Sequence, residues 1–159
     1  MSDSVRTAIV AQLQTVTGIG RVHAYQRYAA NNKALADCYV QDGQLRGWFV
    51  RRLSVQEKTG TRNRNVEISR WLLRGYLAVS DEQQSELEFD GVIDGIRAAF
   101  RAEQPLAGAA VWTRATDANG QAGIALTESA PVLFAGVLCH AASCSLFTRR
   151  ILLNDSLIY

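Results

Sequence analysis

Two apolar periodicities meet in the middle of the chain. From Val66 to Val79, VEISRWLLRGYLAV, Trp71, Leu73, Gly75, Leu77 and Val79 fall on one side, and Val66, Ile68, Arg70, Leu72, Arg74, Tyr76 and Ala78 on the other. A strand alternates its side chains, so the first set predicts a buried face and the second, carrying two arginines, a partly covered one. From Ser80 the period changes to that of a helix. Phe89, Val92, Ile93, Ile96, Ala99 and Phe100 form one apolar stripe, led in by Leu87. Ser80 and Gln83 have the spacing of a capping box. Six carboxylates, Asp81, Glu82, Glu86, Glu88, Asp90 and Asp94, precede Arg97 and Arg101, an order that suits the helix dipole. They lie mostly opposite the stripe and read as a solvated face rather than as paired acid–base groups. Gly91 and Gly95 each cost about 1 kcal/mol relative to Ala and read as close packing of the helix on a sheet.

The same patterns extend in both directions. Val5, Ile9, Leu13 and Val16 make a first helix, capped by Ser2 or Ser4 and stopped at Gly18. Tyr25–Ala36 reads as a short helix with Tyr28, Leu35 and Ala29 inward, and Asp42-Gly43 as a turn. Leu45–Val55 is a strand with Trp48 and Val50 on one face and Phe49, Leu53 and Val55 on the other; Arg51 and Arg52 put a positive charge on each face. Gln56–Asn65, QEKTGTRNRN, reads as a basic loop joining this strand to Val66–Val79 in an antiparallel hairpin. A fourteen-residue strand spans about 46 Å, whereas a compact chain of this size is roughly 40 Å across. The hairpin is therefore expected to leave the globule, with Arg51, Arg52, Lys58, Arg62, Arg64 and Arg70 near its tip. Further on, Ala109–Arg114 reads as a strand, Asn119-Gly120 as a tight turn, and Ile124–Ser129 as a loop or short strand. Val137–Leu146, small or apolar on both faces, reads as an interior strand. The closing ILLNDSLIY is apolar and predicts either docking in the core or a subunit contact.

Length and composition add bounds. The 159 residues fit one domain, 1–159, and 48% apolar content fits a real core. A net charge of +2 is too small to argue for nucleic acid by itself. Three cysteines without a CxxC pair, and no secretory signal pattern, predict a reduced intracellular setting. The longest apolar run, Ala130–Cys139, is too short to span a bilayer, so no membrane partner is expected. The elements together predict an α+β fold: a mixed, mainly antiparallel sheet with two main helices packed on one face and a protruding β-hairpin.

Candidate chemistry is sparse. Cys139, His140 and Cys144 are close in sequence, but in a strand Cys139 points away from the other two, and a fourth metal ligand is missing. The same geometry defeats a Cys–His nucleophile pair. Gly123 is followed by Ile124 rather than by the Lys-Ser or Lys-Thr pair of a phosphate loop. No catalytic, cofactor-binding or metal set is therefore predicted, nor any cofactor, and the chain does not read as an enzyme. An alternative is a non-enzymatic DNA-binding module. The Gly18-Ile19-Gly20 turn after a helix would offer backbone N–H groups to phosphate, and the basic loop 56–65 would add charge. Arg21–Tyr25, however, reads as extended chain rather than as the second helix such a module requires.

One resemblance brings these features together. The opening helix ending in TGIGRVHAYQRYA, the GWFVRR strand, WLLRGYLAVSDEQQSELEFDGVIDGIRAAFR and the closing VLFAGVLCHAASCSLF resemble the tail terminator, or tail-completion, proteins of long-tailed bacteriophages and prophages. The resemblance implies a structural protein of the virion. Copies would form a homo-oligomeric, hexameric ring that caps the tail tube and offers a surface to the head-completion or connector protein. Its place would be the host cytoplasm during assembly and then the virion tail. The partners implied are the chain itself, the tail tube protein and the head-completion protein, with a non-specific contact to DNA in the channel as a further option. Arg51, Arg52, Lys58, Arg62, Arg64 and Arg70 are the expected subunit, partner or lumen contacts.

Overall fold

The computed structural model describes residues 4–101, 106, 111–113 and 124–153, and it has the α+β architecture that the periodicities predict. Helix α1 spans Ser4–Gln14, and strand β1 (Arg21–His23) follows. Next come helix α2 (Asn32–Asp37) and strands β2 (Val40–Gln41), β3 (Gln44–Thr59) and β4 (Arg64–Ala78). Helix α3 (Ser85–Ala99) precedes β5 (Val111–Trp112), β6 (Ile124–Phe134) and β7 (Val137–Leu153). The sheet order is β1-β3-β4-β7-β5, with β2 also paired to β3 and β6 to β7. Among the described residues only β1 and β3 run parallel; the other pairs are antiparallel.

Strand alternation sorts the core into two layers. Trp48, Val50, Trp71, Leu73, Leu77, Ala142, Cys144 and Leu146 meet the α1 residues Val5, Ala8, Ile9 and Leu13 and the α3 residues Phe89, Val92, Ile93 and Ile96. Both main helices thus cover one face, as the two apolar stripes predict. Within it Trp48 stacks on Phe89, and the buried Trp71 indole N–H donates to Thr148 Oγ1 at 2.9 Å. The opposite face holds a smaller aromatic cluster. Tyr39 makes edge contacts with His23, Tyr76 and Phe134, while Tyr76 and Phe134 stack at 3.8 Å. Burial is the main reason that the Tyr39 phenol is pushed well above its usual pKa range and the His23 imidazole is held below its own.

Several boundaries differ from the sequence reading. The loop expected at Gln56–Asn65 is mostly strand: β3 continues to Thr59, β4 begins at Arg64, and only residues 60–63 turn. Thr59 pairs with Asn65 and Lys58 with Val66. The projecting element is also more than a hairpin, because β7 follows β4 from Ala78–Cys139 out to Arg64–Leu153. A third strand gives the arm a second ladder of backbone hydrogen bonds, so it is a stiff extension of the sheet. Leu53 is the extra residue of a bulge, since Arg52 pairs with Trp71 and Ser54 with Arg70.

The start of α3 differs as well. Ser80 makes no side-chain cap. Residues 81–83 form a separate turn of 3-10 helix, Gln84 is left-handed at φ 54°, and α3 begins at Ser85. The predicted helix Tyr25–Ala36 shrinks to Asn32–Asp37. Asn31 caps it by accepting from the Ala34 N–H, and Tyr28 stands 77% exposed rather than inward. Val79 and Leu87 also face solvent. The segment after Gly123 is a continuous strand, β6, with Pro131 inside it; among the described residues β6 pairs only with β7, an edge position that tolerates proline. Of the predicted strand Ala109–Arg114 the described residues are 111–113, and Val111–Trp112 form β5. The Asn119-Gly120 turn and the last six residues of the apolar tail lie outside the described residues.

Candidate interaction surface: the basic arm

The arm takes its shape from where the helices stop. Every β3 residue from Arg51 to Thr59 is exposed, whereas Trp48–Val50 are buried. The helix-facing side is still tied down three rungs short of the strand ends. Arg150 there ion-pairs with Glu67 at 2.8 Å and donates to Ser4 Oγ at the start of α1. Past that rung β3, β4 and β7 run on for about three more residues each, with Lys58, Thr59, Arg64, Ile151 and Leu153 exposed and Asn65, Val66 and Leu152 half-buried.

All six predicted contact residues, Arg51, Arg52, Lys58, Arg62, Arg64 and Arg70, are exposed. Register divides them. Residues directly opposite in a ladder share a face. Arg51 lies opposite Leu72, Ser54 opposite Arg70 and Lys58 opposite Val66, which puts Arg51, Arg70, Lys58 and Arg64 on the face away from the helices. Arg52, opposite the buried Trp71, belongs to the other face, and Arg62 sits in the tip turn. The β4–β7 ladder adds a cation that the sequence reading missed: Arg149 lies opposite Ile68 on the same face as Lys58. Arg74 also lies on that face, but it is already engaged. It donates to Tyr76 Oη and Ser143 Oγ and lies 3.8 Å from Glu128. Arg70 donates to Ser145 Oγ at 3.3 Å, and Arg51 reaches Gln26 Oε1 at 3.5 Å. Lys58, Arg62, Arg64, Arg149 and Arg52 form no ion pair among the described residues.

Apolar side chains alternate with these cations. Val66, Ile68 and Phe147 are half-buried, and Ile151 and Leu153 are exposed at 41% and 65%. Residues 51–70 and 147–153 carry eight basic groups against two carboxylates, although the whole chain has a net charge of only +2. The remainder is therefore acidic, and residues 80–96 hold six carboxylates and no cation. The charge is segregated along the molecule. Each exposed pair is worth little singly, but such a field steers an acidic surface toward the arm.

The Gly18-Ile19-Gly20 turn is built for packing. Gly18 and Gly20 have φ near +80°, and the Arg46 guanidinium donates to the Gly18 carbonyl at 3.0 Å while pairing with Glu88. A Cβ on Gly20 would run into the Arg46 carbonyl. The chain then enters β1, parallel to β3, rather than a second helix.

Cys139 lies in the aromatic layer and Cys144 in the helix-covered layer, so the strand separates them as expected. Burial raises both thiols to a pKa of about 11, which leaves little thiolate at neutral pH. His140 has a partner that sequence spacing did not reveal. Its Nε2 lies 2.8 Å from Ser85 Oγ, which also accepts from the Ser80 N–H at 2.8 Å. Ser85 is 2% exposed, and among the described residues no carboxylate is within ion-pair distance of His140. The pair pins the start of α3 to β7. Ser85→Ala leaves two polar partners unsatisfied, so it is expected to cost about 1–3 kcal/mol in urea unfolding. A loss well below that range would mean that the contact is not structural.

No protein-family model matches the chain, and no curated protein matches it. Among the described residues no helix is long and apolar enough to cross a membrane.

Proposed function

We propose that this chain is a virion-assembly protein of the tail-terminator kind. Copies close into a ring, six in number, that caps the tail tube and presents a surface for head joining. The observation that carries the reading is the three-stranded arm. It is a stiff extension of the sheet whose β3 strand is exposed all along Arg51–Thr59, and it alternates cations with apolar side chains, a composition suited to contact with another molecule. Charge segregation adds support, because a closed ring needs two unlike surfaces on each copy. The tail-like segments quoted above supply the specific class.

The test is tail-tube growth in the presence of the purified full chain, followed by electron microscopy. Tubes of limited length with a ring at one end are expected. Tubes that elongate as freely as in the chain's absence would overturn the reading.

The DNA-binding alternative rests on the same cations, with Tyr25 and Tyr28 exposed near Arg51. It predicts duplex affinity that falls steeply with salt, and no retardation in a low-salt gel shift removes it.

A further inference from the structure

The molecule carries a surface complementary to its own arm. Helix α3 and the outer strand β6 flank a groove lined by Asp90, Ile93, Asp94, Ile124 and Leu126, with Arg97 at its edge. Ile93 and Ile124 form an apolar floor, and Leu126 is 43% exposed. Along the α3 rim, Glu86 and Asp90 form no ion pair among the described residues, and Asp94 meets Arg97 at 3.4 Å on the exposed helix surface. Beyond the groove, the outward edge of β6 pairs with no strand among the described residues. The arm offers the matching chemistry: Lys58, Arg62 and Arg64 as cations, with Val66, Ile151 and Leu153 beside them.

The two surfaces cannot meet within one copy. The groove lies on the β6 side of β7, and among the described residues β6 pairs with β7 as far as Leu146. The tip lies seven residues farther along β7, at Leu153, roughly 23 Å away. The three-stranded ladder holds it there. Unlike surfaces at separate places on one chain make a head-to-tail contact, which closes into a ring or runs on as a filament.

The geometry points to a second copy of this chain as the occupant of the α3–β6 groove, held by the basic tip of its arm. This contact rests on the ring-forming reading above and names the surfaces that make the ring.

Two full-length variants test it. In the first, Lys58→Glu, Arg62→Glu and Arg64→Glu make the arm acidic. In the second, Glu86→Lys and Asp90→Lys make the groove basic. All five positions are exposed, so circular dichroism and thermal melting should match the unmodified chain. Each variant alone sets like charge against like, and its assembly in sedimentation velocity should weaken at least about tenfold. Mixed in equal amounts, they pair opposite charges at every junction, so alternating rings of even copy number should return. The neutral arm Lys58→Gln, Arg62→Gln, Arg64→Gln should assemble to an intermediate extent.

Assembly of either reversed variant alone at the unmodified level would overturn the contact. So would a mixture that stays as weak as its components while the unmodified chain assembles. An unmodified chain that forms no oligomer, in solution or on tube ends, would overturn the ring reading itself.

Discussion

Gly75→Ala is expected to be among the most destabilising single substitutions in the chain. Gly75 lies opposite Trp48 in the β3–β4 ladder, and a Cβ built on it would clash with the indole carbons Cδ2 and Cε2. The indole has no room to retreat, because Trp48 is 1% exposed and stacks on Phe89 beneath α3. Relief would require moving α3 or separating two central strands. Overpacking a core commonly costs about 1–3 kcal/mol and sometimes more, and a rigid aromatic as the obstacle puts this site at or above about 3 kcal/mol. That is a large share of the roughly 5–15 kcal/mol that holds a domain together. Gly91→Ala is the control. Its added methyl meets nothing within 4 Å on the exposed side of α3, so it should stabilise by about 1 kcal/mol. Urea unfolding of the two variants reads both signs, and a Gly75→Ala protein as stable as the unmodified chain would contradict the packing described.

The second large effect concerns assembly rather than folding. Val55 pairs with Ser69, so residues 56–68 can be replaced by an Asn-Gly turn that rejoins the hairpin at that rung. The deleted segment takes with it Lys58, Arg62 and Arg64 but none of the buried core residues. The shortened chain should therefore fold, with its helix signal and cooperative melting retained. The loss of Val66, Ile68 and the outer pairing with β7 should cost a few degrees of melting temperature. On the ring-forming proposal its assembly should be abolished, and tail tubes grown with it should lengthen as freely as tubes grown without the chain. Normal assembly by this variant would remove the arm from the account.

Where the sequence was legible, one face of an element was buried and the other was not. The Trp71–Leu77 alternation and the Phe89–Phe100 stripe both carried their burial in their period. The outer part of β3 lacked that signal because every residue from Arg51 to Thr59 is exposed. Lys58-Thr59 and Arg64-Asn65 show no alternation, so they read as loop although they are paired strand. Arg149 joined the basic face only through the β4–β7 register, which links residues distant in sequence. The start of α3 was misplaced for a related reason. Ser80 and Gln83 have the local spacing of a cap, but the Ser80 N–H is taken by Ser85, whose hydroxyl also meets His140 on β7. A tertiary contact thus outweighed the local pattern. Gly75 was visible as a small residue on the buried face, but its reason, Trp48, depends on a register that a single sequence does not display.

The claim that most needs a direct test is that copies of this chain close on one another through the arm. Native mass spectrometry of the full chain, taken at high concentration and from tube ends, measures the copy number without assuming a contact. The account predicts a closed species of six times the 17.5 kDa chain mass that is absent from the arm-shortened variant. A monomer under every condition, or the same six-copy species from the shortened chain, would contradict it.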